Sequence, residues 1–393
     1  MRERTIACVL LLPALLCGQA PTADPLATPG FQHFYNLEYA DALKYFQAEA
    51  AHDPTSPAAY NHIAQTILYR EMFRSGALES ELVSGGNPFL RRQGLNPSAA
   101  DEQEFQHSIA RALELADARL KLNPNDVDAL YAQGVSYGLR GNYYFLVRKA
   151  YTDALRDATS ARKAHLRVTE LDPKRIDARL VQGIYDYVLG SLSPAWRMLG
   201  FFAGFRGDRE RGISAVQQVA AEGRLNRVDA EILLCAAYRR ERRPKQAVPL
   251  LTDLIQRFPR NFLLRMELVQ MYGDLGEKDK ALAVIREVEQ LKSKRTAGFD
   301  QLADEKIRYT RGNLLFWYND LGPALDDLKA VTNNLAAVDL NTGVYAWLRL
   351  GQIYDLQKKR EEAKRAYLQT VVVAPNSDAS NEAQNYLLSR YKR

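Results

Sequence analysis

The sequence predicts an all-α solenoid of about eight stacked helix pairs, ended by a polar capping helix. Three observations predict it. One frame of apolar, small and aromatic residues returns at steps of about 34 residues. Prolines close the second helix of successive units, at Pro54, Pro124, Pro173, Pro259 and Pro375, where a residue without an N–H stops a helix. Val371–Val373 is the one β-branched run of note, and the frame already places it at a helix end.

The first twenty residues read as an export signal outside the fold. Arg2 and Arg4 precede the apolar run Ile6–Leu16, and Gly18-Gln19-Ala20 offers small residues for cleavage after Ala20. That run is shorter than the roughly 20 residues a membrane span needs. Cys17 raises the alternative of a lipid anchor, although Leu16 stands where a lipoprotein signal has a small residue. Residues 21–30 are expected to form a flexible leader.

The repeat frame is plainest near the C-terminus. Trp347, Leu350-Gly351, Tyr354, Ala363, Tyr367 and Pro375 form one unit. Gly351 and Ala363 stand where two helices cross, and Tyr354 and Tyr367 fill the space around the crossing. The frame recurs at Leu234-Cys235, Tyr238, Ala247, Leu251, Leu254 and Pro259, then at Leu268, Tyr272, Ala281, Ile285 and Val288, then at Gly312, Leu315, Ala324, Leu328 and Val331. These make four regular units over 227–377. Residues 31–226 keep the frame in stretched form. Tyr39, Ala42, Phe46 and Pro54 belong to a first unit, and Tyr60, Ile63-Ala64 and Ile67 open a second. Leu130, Gly134 and Tyr137 open a third with unusually long helices, and Ile176 with Gly183 opens a fourth. Insertions interrupt this half at 75–104 and 190–207, and a polar capping helix is expected within 378–393.

This pattern resembles the tetratricopeptide repeat family at every spacing of the C-terminal unit. The endings Leu122-Asn123-Pro124 and Leu171-Asp172-Pro173 match the family's helix exits. The resemblance implies a right-handed superhelix, identified here as an exported bacterial member, that holds a protein or peptide along a concave face lined by the first helix of each pair. On that frame the lining residues are Asn61, Gln65, Tyr69, Tyr131, Arg239, Tyr309, Asn313, Trp317, Tyr345, Gln352 and Asp355. Amides would bond a peptide backbone and rings would cover its apolar side chains. The family's clamp for a peptide carboxylate needs lysines and asparagines on successive repeats; Lys306 and Asn313 fall in one repeat, so that capture is not expected.

Composition narrows the partners further. The formal net charge is +6, falling to +5 once Arg2, Glu3 and Arg4 leave with the signal. It is spread thinly, without the clustered basic face that nucleic acid requires. Of three cysteines, Cys8 and Cys17 leave with the signal. Cys235 alone forms no internal disulfide, which fits a bacterial periplasm or cell surface better than a eukaryotic secreted setting.

Two insertions add candidate contacts. Gly85-Gly86 and Asn87-Pro88 are turn chemistry, and the apolar Phe89 and Leu90 suit a loop folded back on the array. Residues 188–205 carry Trp196, Phe201, Phe202 and Phe205, followed by Arg206 and Arg209. Such a hairpin packs inward, meets a partner, or dips into a lipid surface as a peripheral contact. An assembly factor docking near a membrane through it is the rival to a scaffold. The cationic turn Arg239–Arg243 reads first as solvated surface. Catalytic signals are sparse: His33, His52, His62, His107 and His165 lie at no metal-ligand spacing, and no cofactor, nucleophile-elbow or phosphate-loop motif is present. A hydrolase hidden in the N-terminal half would need a pocket where ionisable groups converge. The expectation is therefore a non-catalytic binding scaffold.

Overall fold

A computed structural model describes residues 24–78, 95–191 and 207–393. Among these residues lie 17 α-helices and no strand. They pair as α1 (Pro29–Tyr35) with α2 (Tyr39–His52), α3 (Pro57–Arg74) with α4 (Ala99–Leu122), α5 (Val127–Tyr143) with α6 (Tyr151–Leu171), and α7 (Arg179–Gly190) with α8 (Arg209–Glu222). The regular half continues with α9 (Arg227–Arg240) and α10 (Pro244–Arg257), α11 (Phe262–Asp274) and α12 (Lys278–Ser293), α13 (Asp304–Trp317) and α14 (Leu321–Asn333), and α15 (Leu340–Leu356) and α16 (Arg360–Val373). Helix α17 (Asp378–Leu388) caps the stack. The expected eight pairs and their cap are all present.

Each regular pair is built by the same local chemistry. The first helix ends, and two residues later the chain enters the left-handed region, at Leu37, Arg242, Gly276, Asn319 and Lys358. The next N–H reaches back to the third-last helical carbonyl, as Arg243 N to Tyr238 O and Lys359 N to Tyr354 O show. This 6→1 bond with a left-handed residue inside it satisfies carbonyls the helix leaves open. Side-chain caps start several helices, with Asp126, Asp208 and Asp339 accepting from the N–H three residues on.

The small-residue slot behaves as the frame predicts. A Cβ added to Gly351 would lie 2.3 Å from the Tyr367 ring, so only glycine lets these helices approach so closely. Tyr367 is fully buried and donates its hydroxyl to Asp355 Oδ2 at 2.9 Å. In the third pair Gly134 meets the His165 ring in the same way. His165 thus takes the packing role that Tyr367 plays in the eighth. The long third pair does not run through unbroken: α5 passes into a π turn at Tyr144–Arg148, and Lys149 at φ +54° reverses the chain.

The stack closes on itself. Residues 24–30, expected to be a flexible leader, are docked: Leu26 is 3% exposed and Asp24 pairs with Arg227 at 2.9 Å. The α1–α2 turn then lies against the fifth and sixth pairs. Tyr35 packs on Phe258 with ring centroids 5.1 Å apart, and Phe73 on Phe262 at 6.0 Å. One hydrophobic core runs without a break from Leu26 to Met271. Asn341, at the start of α15, donates to Ser75 O at 3.0 Å. The array is a closed washer, its first pair seated against its later ones.

Candidate functional site

The residues expected to line a free concave face are mostly engaged between neighbouring repeats. Asn61 is 2% exposed; its amide donates to Ala132 O at 2.9 Å and its Oδ1 accepts from Ser136 at 2.7 Å. Tyr131 is buried against His165 and accepts from Asn226 Nδ2 at 2.7 Å. Arg239 reaches across to Gln270 at 3.0 Å and Asp274 at 3.1 Å on the next repeat. Tyr309 and Asn313 are buried on α13. Gln352 and Asp355 are buried on α15, where Asp355 accepts from Arg360, Tyr367 and the backbone of Tyr391. Tyr69 is half-buried against Phe34, and Gln65 and Tyr345 are half-buried. Only Trp317 of this set is exposed, at 57%.

The expectation that packing leaves these side chains free is therefore corrected. A polar group on the inner face of a first helix lies opposite the first helix of the next repeat. Burial there is costly unless it is hydrogen-bonded, and these groups supply each other's partners. The cationic turn follows the same logic: Arg243 pairs with Glu210, and Glu241 accepts from Tyr187 and Arg209. Cys235 fills its crossing slot with Sγ 4.0 Å from Ala247 O, and burial pushes its thiol far up.

Among the described residues an open cleft of 580 Å³ lies where the first two pairs face the sixth pair and the loops that follow it. Phe73 and Leu78 line it from the second pair, and Phe262, Leu263, Leu302 and Val338 from the sixth pair onward. Asn36, Leu37 and Glu38 of the α1–α2 turn also line it. The volume falls within the range of sites that hold several side chains of a ligand. Asp300 and Gln301 stand exposed at the rim. Sequence reasoning did not find this cleft, because it joins residues from five separate parts of the chain.

The charges around the cleft are firmly placed. Lys306 Nζ lies 2.9 Å from Asp339 Oδ2 and 2.6 Å from Thr342 Oγ1. Burial raises Asp339, but the Lys306 charge and the Thr342 hydrogen bonds outweigh it and hold the carboxyl below its usual range. Glu38 is likewise raised by burial and brought lower overall by hydrogen bonds from Arg260 and His33. Gly76, at φ +70°, passes so close to Asp339 that a Cβ would sit 2.4 Å from Oδ1. Elsewhere in the array desolvation acts unopposed or nearly so: it pushes Asp229 up to about 6, against a hydrogen bond from Tyr35, and pushes His165 down to about 4.

Other sequence candidates fall beyond the description. Trp196, Phe201, Phe202 and Phe205 of the expected contact hairpin lie outside the described residues, as do Phe89 and Leu90 of the first insertion. The roots of the second insertion are visible. A Cβ on Gly207 would meet Gly190 N at 2.6 Å, so the chain leaves and re-enters the array at one point. No described helix is long and apolar enough to cross a membrane, and no described group of three or more His, Cys, Asp or Glu residues could hold a metal.

Comparison with known proteins supports the repeat architecture. Residues 232–295 and 344–376 each match a tetratricopeptide repeat family model. No curated protein matches the chain in sequence. Among solved structures, a chain of the APC/C hetero-tetramer Cut9–Hcn1 is similar over 92% of this chain and 54% of its own, with 13% identity and a TM-score of 0.50. Yeast Tom70 is similar over 91% of this chain and 87% of its own, with 12% identity and a TM-score of 0.42. Human IFIT1, in a dimer with PPP-AAAA, covers 92% and 81%, with 14% identity and a TM-score of 0.47. Such identities concern the fold and nothing finer.

Proposed function

We propose that the chain is a non-catalytic protein-binding scaffold of the bacterial cell envelope, and that it holds an extended peptide segment in the cleft between its first two pairs and its sixth. The observation that carries this reading is the cleft itself. Its lining joins the helix residues Phe73, Phe262 and Leu263 to Leu78, Leu302 and Val338 of the adjoining turns; these are aromatic and aliphatic, and Asp300 stands exposed beside them. An apolar side chain of a partner would enter between Leu78 and Leu263, and a neighbouring lysine or arginine would meet Asp300. The matched repeats support a protein partner, since stacked helix pairs present long inner surfaces for binding. Export rests on the pattern Arg2, Arg4, Ile6–Leu16 and Gly18-Gln19-Ala20.

The test compares wild type with Leu78→Glu and Leu263→Glu in capture from envelope extract, with circular dichroism on each protein. A partner held by wild type and lost by the folded variants supports the cleft. Undiminished capture by both variants removes the cleft as the site, and no captured protein at all removes the scaffold.

A further inference from the structure

The α1–α2 turn is held to the far side of the washer by a compact set of contacts across 194 to 226 residues of sequence. Arg260 Nε lies 2.6 Å from Glu38 Oε1, and its Nη2 lies 3.0 Å from Oε2. The Arg260 backbone N–H donates to Asn36 Oδ1 at 2.9 Å, and Asn261 Nδ2 donates to Tyr35 O at 2.8 Å. Tyr35 Oη donates to Asp229 Oδ1 at 3.2 Å. His33 supports the outer end, with Nδ1 2.6 Å from Glu38 Oε2.

This contact is specific, yet it carries internal costs. Leu37 sits at φ +66°, a conformation that disfavours any residue with a Cβ. Asp229 is a half-buried carboxylate whose Oδ1 accepts from Tyr35, and desolvation raises it, a cost to its charged form. The Glu38–Arg260 pair is half-exposed, with 25% and 35% of the side chains accessible, so water can replace either partner. The apolar part of the seam is narrow, Tyr35 on Phe258 and Phe73 on Phe262, whereas successive helix pairs pack along their lengths, so the seam needs less free energy to part than they do.

We propose that the Tyr35–Glu38 turn is a releasable clasp, and that its release from Asp229, Arg260 and Asn261 parts the washer and widens the cleft beside it. Asn36, Leu37 and Glu38 line that cleft, so an opened clasp enlarges the space that a bound segment can fill. The gating of binding rests on the peptide-scaffold reading above; the opening itself does not.

The test uses the full chain with Glu38→Arg, Arg260→Glu and the double charge swap, followed by hydrogen exchange and small-angle scattering. Each single variant is expected to speed exchange roughly ten-fold in residues 29–52 and 227–274 alone, the loss of one charge-assisted pair. Its radius of gyration rises, and the swap restores both. Unchanged exchange in the single variants, or faster exchange spread evenly over the chain, overturns the clasp. So does a swap that restores nothing. Should a single variant unfold, Tyr35→Phe keeps the ring and removes only the bond to Asp229; acceleration confined to the same two segments supports the clasp, and uniform acceleration overturns it. Opening without any peptide capture leaves the clasp standing and sinks the binding reading; capture without opening does the reverse.

Discussion

Asn313 Oδ1 accepts a hydrogen bond from Arg349 Nε at 3.0 Å, with only 1% of the asparagine and 8% of the arginine exposed. The arginine continues to Gln352 at 2.7 Å, and Gln352 to Glu382 of the capping helix at 3.1 Å. Its guanidinium also lies 5.1 Å from the Phe316 ring and 4.8 Å from the Trp317 ring. One side chain thus ties the last three layers together. Arg349→Met leaves Asn313 and Gln352 buried without their donor, and should cost about 3 kcal/mol in urea unfolding. Trp317→Ala removes one cation–π face at an exposed position and should cost about 1 kcal/mol. Equal losses for the two would show that the hydrogen-bonded chain is not what holds the cap.

The left-handed turn residues make a second prediction. Arg242 at φ +56° and Lys358 at φ +61° occupy positions that glycine fills without strain, as Gly276 does in the same turn at φ +79°. Arg242→Gly and Lys358→Gly should each stabilise by about 0.5 kcal/mol, the relief of strain less the extra freedom glycine gives the unfolded chain. Leu37→Gly should not, because Leu37 also packs against the core. Melting temperatures of the three variants decide the matter.

Asp177 makes a third. Its Oδ1 accepts from three successive N–H groups, of Arg224, Leu225 and Asn226, at 3.0, 2.9 and 2.9 Å. The carboxylate fills a backbone nest that would otherwise attract an anion, and fixes the turn leading into α9. Asp177→Ala should cost about 3 kcal/mol, with exchange at 223–226 rising first. A mild loss shared evenly along the chain would contradict this.

Acid response separates two buried groups of opposite sign. His165 titrates near 6.5 when unfolded and at about 4 in the fold, so only the unfolded chain gains its proton between those values. Stability is lost as pH falls through that window, by up to about 3 kcal/mol. Asp229 moves from 3.8 to about 6, so the folded chain protonates first. Stability is gained as pH falls from 6 toward 3.8, by up to about 3 kcal/mol. The two slopes oppose each other in wild type. Asp229→Asn should raise the melting temperature at pH 7.5, have little effect at pH 4, and steepen the acid slope. His165→Leu, a residue that fills the same slot as Leu328 and Leu251, should flatten it. Parallel curves for wild type and both variants from pH 4 to 8 would refute the assignment.

Much of the fold was legible because its decisive contacts are local. Gly351 and Tyr367 lie on adjacent helices of one repeat, and the same spacing pairs Gly312 with Leu328. Any sequence that keeps such a slot announces its pairing at once. The site was less legible for two physical reasons. Polar residues on a first helix look alike whether they meet a ligand or the next repeat, and Asn61, Asn313 and Gln352 meet the next repeat. The closure depends on Arg260 finding Glu38 at a separation of 222 residues, and no periodicity carries that information. The docking of Leu26 and Asp24 belongs to the same closure, so a polar, proline-bearing leader gave no sign of it.

Closure changes how the chain must come to its shape. An open stack can grow from either end, each unit leaning on its neighbour, and can lose its outermost units one at a time. Here the first unit emerges from the ribosome with its seat unmade, and waits roughly ten to forty seconds of synthesis for residues 258–262 to arrive. Through that interval Tyr35 and Phe73 lack their partners Phe258 and Phe262, at the moment when an aggregating neighbour or a chaperone can reach them. Once the seat is made, the first unit no longer frays by itself, and its loss should be coupled to the fifth and sixth units that hold it.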